Sequence, residues 1–228
     1  MAFDSLETPF GKAERIIGGA ATYIGLSASY FTQNISLVSV IGNDFPLATL
    51  TDLQSRGMSL EGVEQRMDEK SFFWSGKYHK DMNTRDTLDT QLNVLENFKP
   101  QVPKEDRDVP FLMLGNLTPS VQMSVIKQMT KRPKLIVLDT MNFWMDIAME
   151  ELTAVLKEVD VLSINDEEAS QLSGEYSSMK AAKTILEMGP KTLIIKKGEH
   201  GALLFNHEEV FYAPALPLEE VFDPTGAG

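Results

Sequence analysis

The chain has 228 residues, with 21 Lys and Arg against 33 Asp and Glu, a net charge of −12 and no cysteine. That length suits one large domain, and 43% hydrophobic with 24% charged residues excludes fibrous and disordered classes. The acidic balance argues against nucleic acid or an anionic membrane as partner, and the lack of cysteine excludes disulfide frameworks, thiolate metal sites and cysteine nucleophiles.

Met1-Ala2-Phe3-Asp4-Ser5 has neither a basic start nor an apolar core, so no signal peptide is expected. No run of about 18 apolar residues marks a membrane helix, and a cytoplasmic protein is expected. Residues 6–17 contain Pro9 and Gly11 and alternate in polarity, which predicts extended structure. A helix is predicted over 20–31, a strand over 35–41 and a helix over 47–56. Residues 62–79 again alternate, with Phe72, Phe73, Trp74 and Tyr78 close together. The two alternating stretches, about 6–17 and 62–80, are expected to pair as a small antiparallel flap or lid.

From residue 111 the rhythm changes. Short apolar runs at 111–115, 135–139, 161–164 and 192–196 alternate with helical spacing at 119–129, 146–159 and two stretches ending near Met188. Buried strands alternating with helices predict a parallel sheet covered on both faces. Residues 202–205 and 209–212 flank Asn206-His207 as a hairpin. The fold class expected is α/β, a three-layer α/β/α sandwich with a mostly parallel sheet plus the small β flap, as one domain over 1–228.

The polar residues fall at particular places in this pattern. Asp223-Pro224-Thr225-Gly226-Ala227-Gly228 follows an extended segment; its small residues admit close approach, and successive N–H groups at a helix start make an anion site. Gly18-Gly19 opens the first helix, where entry packing is the ordinary explanation. No Gly-Lys-Ser/Thr follows, and no Gly-x-Gly-x-x-Gly is present, which excludes a Walker loop and a dinucleotide fingerprint. Asn165-Asp166-Glu167-Glu168 follows the predicted strand 161–164, the edge where open α/β sheets bind ligands. Asn165 and Glu168 share a helix face and offer oxygens suited to Mg²⁺ beside phosphates; an N-cap with an acidic first turn accounts for the same residues. Lys197-Gly198-Glu199-His200-Gly201 and Asp139-Thr140-Met141-Asn142 lie at the same edge. His79, His200 and His207 lack zinc-ligand spacing.

In their order along the chain these pieces resemble the ribokinase-like (PfkB) family of carbohydrate and nucleoside kinases. Asp4 resembles its substrate-hydroxyl aspartate at the end of the first strand, and Gly18-Gly19 its diglycine beside the sugar. Val40-Ile41-Gly42-Asn43-Asp44-Phe45 resembles its Gly-x-Asp stretch, and Asn165-x-x-Glu168 its Asn-x-x-Glu motif. Lys197-Gly198-x-x-Gly201 resembles its nucleotide-side turn, and 223–228 its second signature. The resemblance implies transfer of the γ-phosphoryl group of ATP to a hydroxymethyl group of a small sugar, or of a nucleoside, with Mg²⁺ and room for a monovalent cation such as K⁺. It implies substrate contacts from Asp4, Gly18, Gly19 and Asp223, and nucleotide contacts from Asn165, Lys197, Gly198, Gly201 and Thr225. Glu168 is implied for the metal, and Gly226, Ala227 and Gly228 for an anion hole. The flap aromatics Phe73, Trp74 and Tyr78 are expected to stack on a base or to form a homodimer interface.

The departures are equally specific. The family's catalytic aspartate directly follows the Gly-Ala-Gly, so the base is expected just beyond Gly228, and the first strand is expected to be clipped before Ala2. The asparagine found a few residues after the diglycine is replaced here, near Tyr23. A chain that truly ended at Gly228 is expected to be a catalytically silent sugar-binding or interaction module.

Overall fold

A computed structural model describes residues 1–80, 82 and 85–221. The chain divides into two compact units, Met1–Asp106 and Arg107–Glu219.

In the first unit, β1 (Ala2–Thr8) and β2 (Gly11–Gly18) form an antiparallel hairpin, followed by α1 (Ala20–Ser29), β3 (Ile35–Gly42), α2 (Leu47–Ser55) and β4 (Met58–Arg66). Then come β5 (Phe73–Tyr78) and β6 (Arg85–Gln91). One sheet runs β2-β1-β5-β6, and β3 and β4 pair separately in parallel. The core gathers Phe3, Leu37, Ile41, Phe45, Leu53 and Met58.

Three expectations change here. Residues 62–66 belong to β4, beside β3, rather than to a flap with 6–17. The 6–17 stretch folds back on the chain around Pro9 and Phe10, and it meets Phe73–Tyr78 through a parallel β1–β5 ladder, not an antiparallel one. Polarity alternation marks extended backbone but carries no information about which strand is the partner. Asp4, expected at a strand end, lies inside β1, because the strand passes through a β-bulge between Asp4 and Leu6 and continues to Thr8.

In the second unit, β7 (Phe111–Leu114), β8 (Leu135–Asp139), β9 (Val161–Asn165) and β10 (Thr192–Lys196) are mutually parallel. The hairpin β11 (Ala202–Phe205) and β12 (Val210–Ala213) adds antiparallel strands to β10, giving the order β12-β11-β10-β9-β8-β7. The crossovers are α3 (Pro119–Gln128), α4 (Asn142–Ile147) with α5 (Met149–Leu156), and α6 (Asp166–Ser173) with α7 (Ser178–Leu186). The single helix predicted over 146–159 is thus two, broken where Ala148 takes φ −144°. Glu150 and Glu151 sit in the first turn of α5, where acidic side chains favour a fresh helix N-terminus.

Leu138, Leu152, Leu156, Leu162, Ile164, Leu193 and Ile195 form a continuous core. Each such side chain removed from water contributes about 2 kcal/mol. Asp160 ties the amino ends of the strands together: its carboxylate accepts from the Ile136 amide at 3.0 Å and meets Arg132 at 3.0 Å and Lys191 at 3.1 Å. With that end pinned, the carboxyl ends of β7 to β10 form the opposite edge, which carries Gly115, Thr140, Asn165 and Lys197. Among the described residues, no helix is long and apolar enough to cross a membrane.

Candidate active site

Two clusters of polar groups stand out, one in each unit. In the first, Asp4 of β1 pairs with Ile16 of β2 on one side and Trp74 of β5 on the other, and is buried. Its carboxylate lies against Gly18, where a Cβ would overlap it. Gly19 caps α1 at φ +89°, and a Cβ there would meet the Ala2 nitrogen at 2.8 Å. The two glycines therefore do one job: they let the start of α1 sit hard against β1, bringing the carboxylate to the helix entrance. No side chain caps that entrance and no acid occupies its first turn. One turn in, the Thr22 hydroxyl is buried with no hydrogen-bond partner among the described residues. Asp4, Gly18 and Gly19 are thus brought together.

The Gly42-Asn43-Asp44 stretch is a clamp. The Gly42 amide donates to Ser71 Oγ at 2.9 Å, and the Ser71 amide donates to Asp44 Oδ1 at 2.8 Å. The other Asp44 oxygen accepts from Arg15 Nη2 at 2.7 Å. Burial alone would raise the Asp44 carboxyl, but the Ser71 donors and the Arg15 guanidinium outweigh it and hold the pKa below the ordinary aspartate value. Lys70 Nζ donates to Asn43 Oδ1 at 3.0 Å. Arg15 and Ser71 carry no motif in the sequence; only the fold brings them to Asp44.

The second cluster lines the carboxyl edge of β7 to β10. Asn165 caps α6 in a full capping box: the Glu168 amide donates to Asn165 Oδ1 at 2.8 Å, and the Asn165 amide donates to Glu168 Oε2 at 2.8 Å. The ordinary helix-start explanation is therefore realised, and it also fixes both side chains at the sheet edge. Asn165 is the ladder neighbour of Lys196. The Lys197 amide donates to the Gly201 carbonyl at 2.8 Å, closing a turn in which Gly198 and Gly201 take φ +53° and +84°. Lys197 Nζ reaches Asp166 Oδ2 at 3.3 Å. Asn165, Glu168, Lys197, Gly198 and Gly201 are thus neighbours.

The same edge holds groups that no motif announces. Gln122 of α3 donates from Nε2 to the Gly115 carbonyl at 2.8 Å and the Asp139 carbonyl at 3.0 Å, splinting the exits of β7 and β8. Trp144 Nε1 donates to Asn116 Oδ1 at 2.8 Å. Gln122 Oε1 and Thr140 Oγ1 are buried without partners among the described residues. Burial pushes the Asp139 carboxyl up; the Lys196 cation and the Asn116 and Thr140 amides pull the other way and do not cancel it. Asp139 and Thr140 belong to the polar cluster that the sequence places at this edge, whereas nothing in the sequence singles out Gln122.

Among the described residues, no three His, Asp or Glu side chains converge as a metal cage. The donors present are oxygens of Asn165, Asp166 and Glu168. That chemistry fits Mg²⁺, which uses one or two carboxylates, keeps several waters and completes its shell with phosphate. Asp223, Thr225, Gly226, Ala227 and Gly228 lie outside the described residues.

Residues 6–228 match the model of the pfkB family carbohydrate kinases. The chain belongs to that family. A cytidine kinase from Thermococcus kodakarensis is 26% identical over all of this chain and 82% of its own length. A nucleoside kinase from Burkholderia thailandensis, solved with inosine, superposes on 99% of this chain and 77% of its own, with a TM-score of 0.76 at 18% identity. A ribokinase from Cryptococcus neoformans, solved with ADP, gives 0.77 over 99% and 80% of the two chains at 19% identity. The α/β fold with mostly parallel strands is that of the ribokinase-like kinases, and the family's activity class is phosphoryl transfer.

Proposed function

We propose that this PfkB kinase transfers the γ-phosphoryl group of ATP to a hydroxymethyl group of a small sugar. The observation that carries this is the Asp4–Gly18–Gly19 corner, where a buried carboxylate lies against the glycines of a helix entrance that Gly19 leaves without a side-chain cap. A carboxylate in that setting binds sugar hydroxyls strongly, since charge-assisted hydrogen bonds gain strength away from water. A nucleoside is the second reading, favoured by the likeness to the cytidine kinase over the whole chain.

In this reading Asp4 orients the acceptor, and the Gly18 and Gly19 backbone borders its ring. Asn165, Lys197, Gly198 and Gly201, with Thr225, border the nucleotide, and Glu168 serves the metal through water. Mg²⁺, when bound, offsets charge developing on the transferring phosphoryl group. Gly226 to Gly228 supply backbone N–H donors to the same charge. The β2-β1-β5-β6 sheet acts as a lid that excludes water, which would otherwise compete with the acceptor.

The test is ATP turnover by the full-length protein with Mg²⁺ across free sugars and nucleosides. Turnover of a sugar supports the first reading and turnover of a nucleoside the second. No turnover with either removes the kinase assignment for this protein.

A further inference from the structure

Arg15 occupies a place that its sequence context does not explain. It is one of few non-glycine residues at positive φ, +50°, a conformation a side-chain-bearing residue adopts only when its surroundings enforce it. The cause is the β-bulge. Asp4 pairs with Ile16 and Leu6 with Ala13, so Glu14 and Arg15 both stand opposite Ser5. The Arg15 amide leaves the ladder and donates instead to Ser5 Oγ at 2.9 Å. Bulges of this kind redirect a side chain, and here the guanidinium is laid 4.4 Å from the Phe3 ring centroid and 5.7 Å from that of Phe73. Phe3 and Phe73 are ladder partners on β1 and β5. The same guanidinium bonds Asp44, whose other oxygen holds Ser71 in the segment leading to β5.

One cation therefore joins β1, β2, β5 and the turn after β3. Its chain neighbour Ile16 is the ladder partner of Asp4, and the Phe3 ring under it belongs to the residue just before Asp4. We infer that Arg15 is the positioning residue for the acceptor carboxylate: by stacking on Phe3 and Phe73 and pairing with Asp44, it sets where Asp4 stands relative to the Gly18-Gly19 helix entrance. The inference rests on the kinase reading above. Arg15 touches neither acceptor nor nucleotide in this scheme; it acts through the strand register at Asp4.

The consequence is a split between the two substrates. In the full-length protein, Arg15→Gln should raise the acceptor KM by about tenfold, the scale expected when a binding group is displaced by a fraction of an ångström, while the KM for ATP stays within about twofold. Asp44→Asn should shift the acceptor KM in the same direction, and the double variant should be no worse than the poorer single one, as for residues acting through one contact. Arg15→Lys, which keeps the pair to Asp44, should recover most of the loss. An unchanged acceptor KM in Arg15→Gln overturns the inference, as does an ATP KM that rises by the same factor, or a Lys variant that recovers nothing. Wild-type protein that phosphorylates no acceptor, and binds none by calorimetry, overturns the kinase reading together with it.

Discussion

Gly18 has no room for even one methyl group, because the Asp4 carboxylate fills the space a Cβ would take. Gly18→Val should therefore displace Asp4 and lower turnover of the acceptor by about a hundredfold or more, with the ATP KM nearly unchanged in steady-state kinetics. A parallel loss of ATP affinity would place the damage in global folding. Glu168 presents the opposite case, since its role in the fold is already visible. Glu168→Ala removes half of a capping box and should cost about 1 kcal/mol of stability, the usual value of such a cap, read as a lowered midpoint in urea. If Glu168 also serves Mg²⁺, turnover under saturating Mg²⁺ should fall far more than that small loss of stability explains. Turnover that tracks the folded fraction would leave Glu168 as a cap alone.

At the scale of elements, the alternating stretches of the amino-terminal half were legible as strands, but not as partners. Residues 62–66 and 73–78 belong to different ladders, and β6 has no apolar alternation because every residue in it is exposed. Trp74 stands on β5, its indole donating to Thr87 Oγ1 of β6 at 3.2 Å and its ring filling the space beside Gly76. The chain has two tryptophans, Trp74 and Trp144, so Trp144→Phe makes Trp74 the sole emitter. A lid that closes over the acceptor should shift or quench that emission on acceptor addition. Emission indifferent to saturating acceptor would argue against closure. In the carboxyl-terminal half the helix and strand boundaries follow the sequence closely. There the central strands β9 and β10 have no exposed residue and the crossovers are local, so each element's pattern is set by its own neighbours. The break at Ala148 is the exception, since an apolar stripe continues across it.

For the whole molecule, a chain with net charge −12 must neutralise the carboxylates it buries. Burial alone would raise the Asp160 carboxyl, but the Ile136 amide, Lys191 and Arg132 outweigh it and hold its pKa below the ordinary 3.8. A depressed carboxyl stabilises the fold above the unfolded-state pKa, and the contribution is lost as pH falls through the folded value. Thermal melts from pH 7 downward should show Asp160→Asn less stable at neutral pH by on the order of 2 kcal/mol, the scale of hydrogen bonds to a charged group. The gap to wild type should close as pH falls through the depressed carboxyl's own titration, below the ordinary aspartate range. A gap that persists unchanged at low pH would show that the Asp160 charge is not what matters.

The sequence by itself determined the α/β class, the alternation of strands and helices from residue 111 onward, and the family, because hydrophobic period and small-residue turns are local properties of the chain. It also put Asn165 and Glu168 on one face of a helix start. What only the tertiary structure decided is who meets whom across long separations: Arg15 with Asp44 and Phe73, Ser71 with Gly42, and Gln122 with the exits of two strands. These contacts are made by side chains whose types recur throughout the sequence. Their selection depends on the position of a bulge and on the direction of one ladder, and neither is written in any single segment.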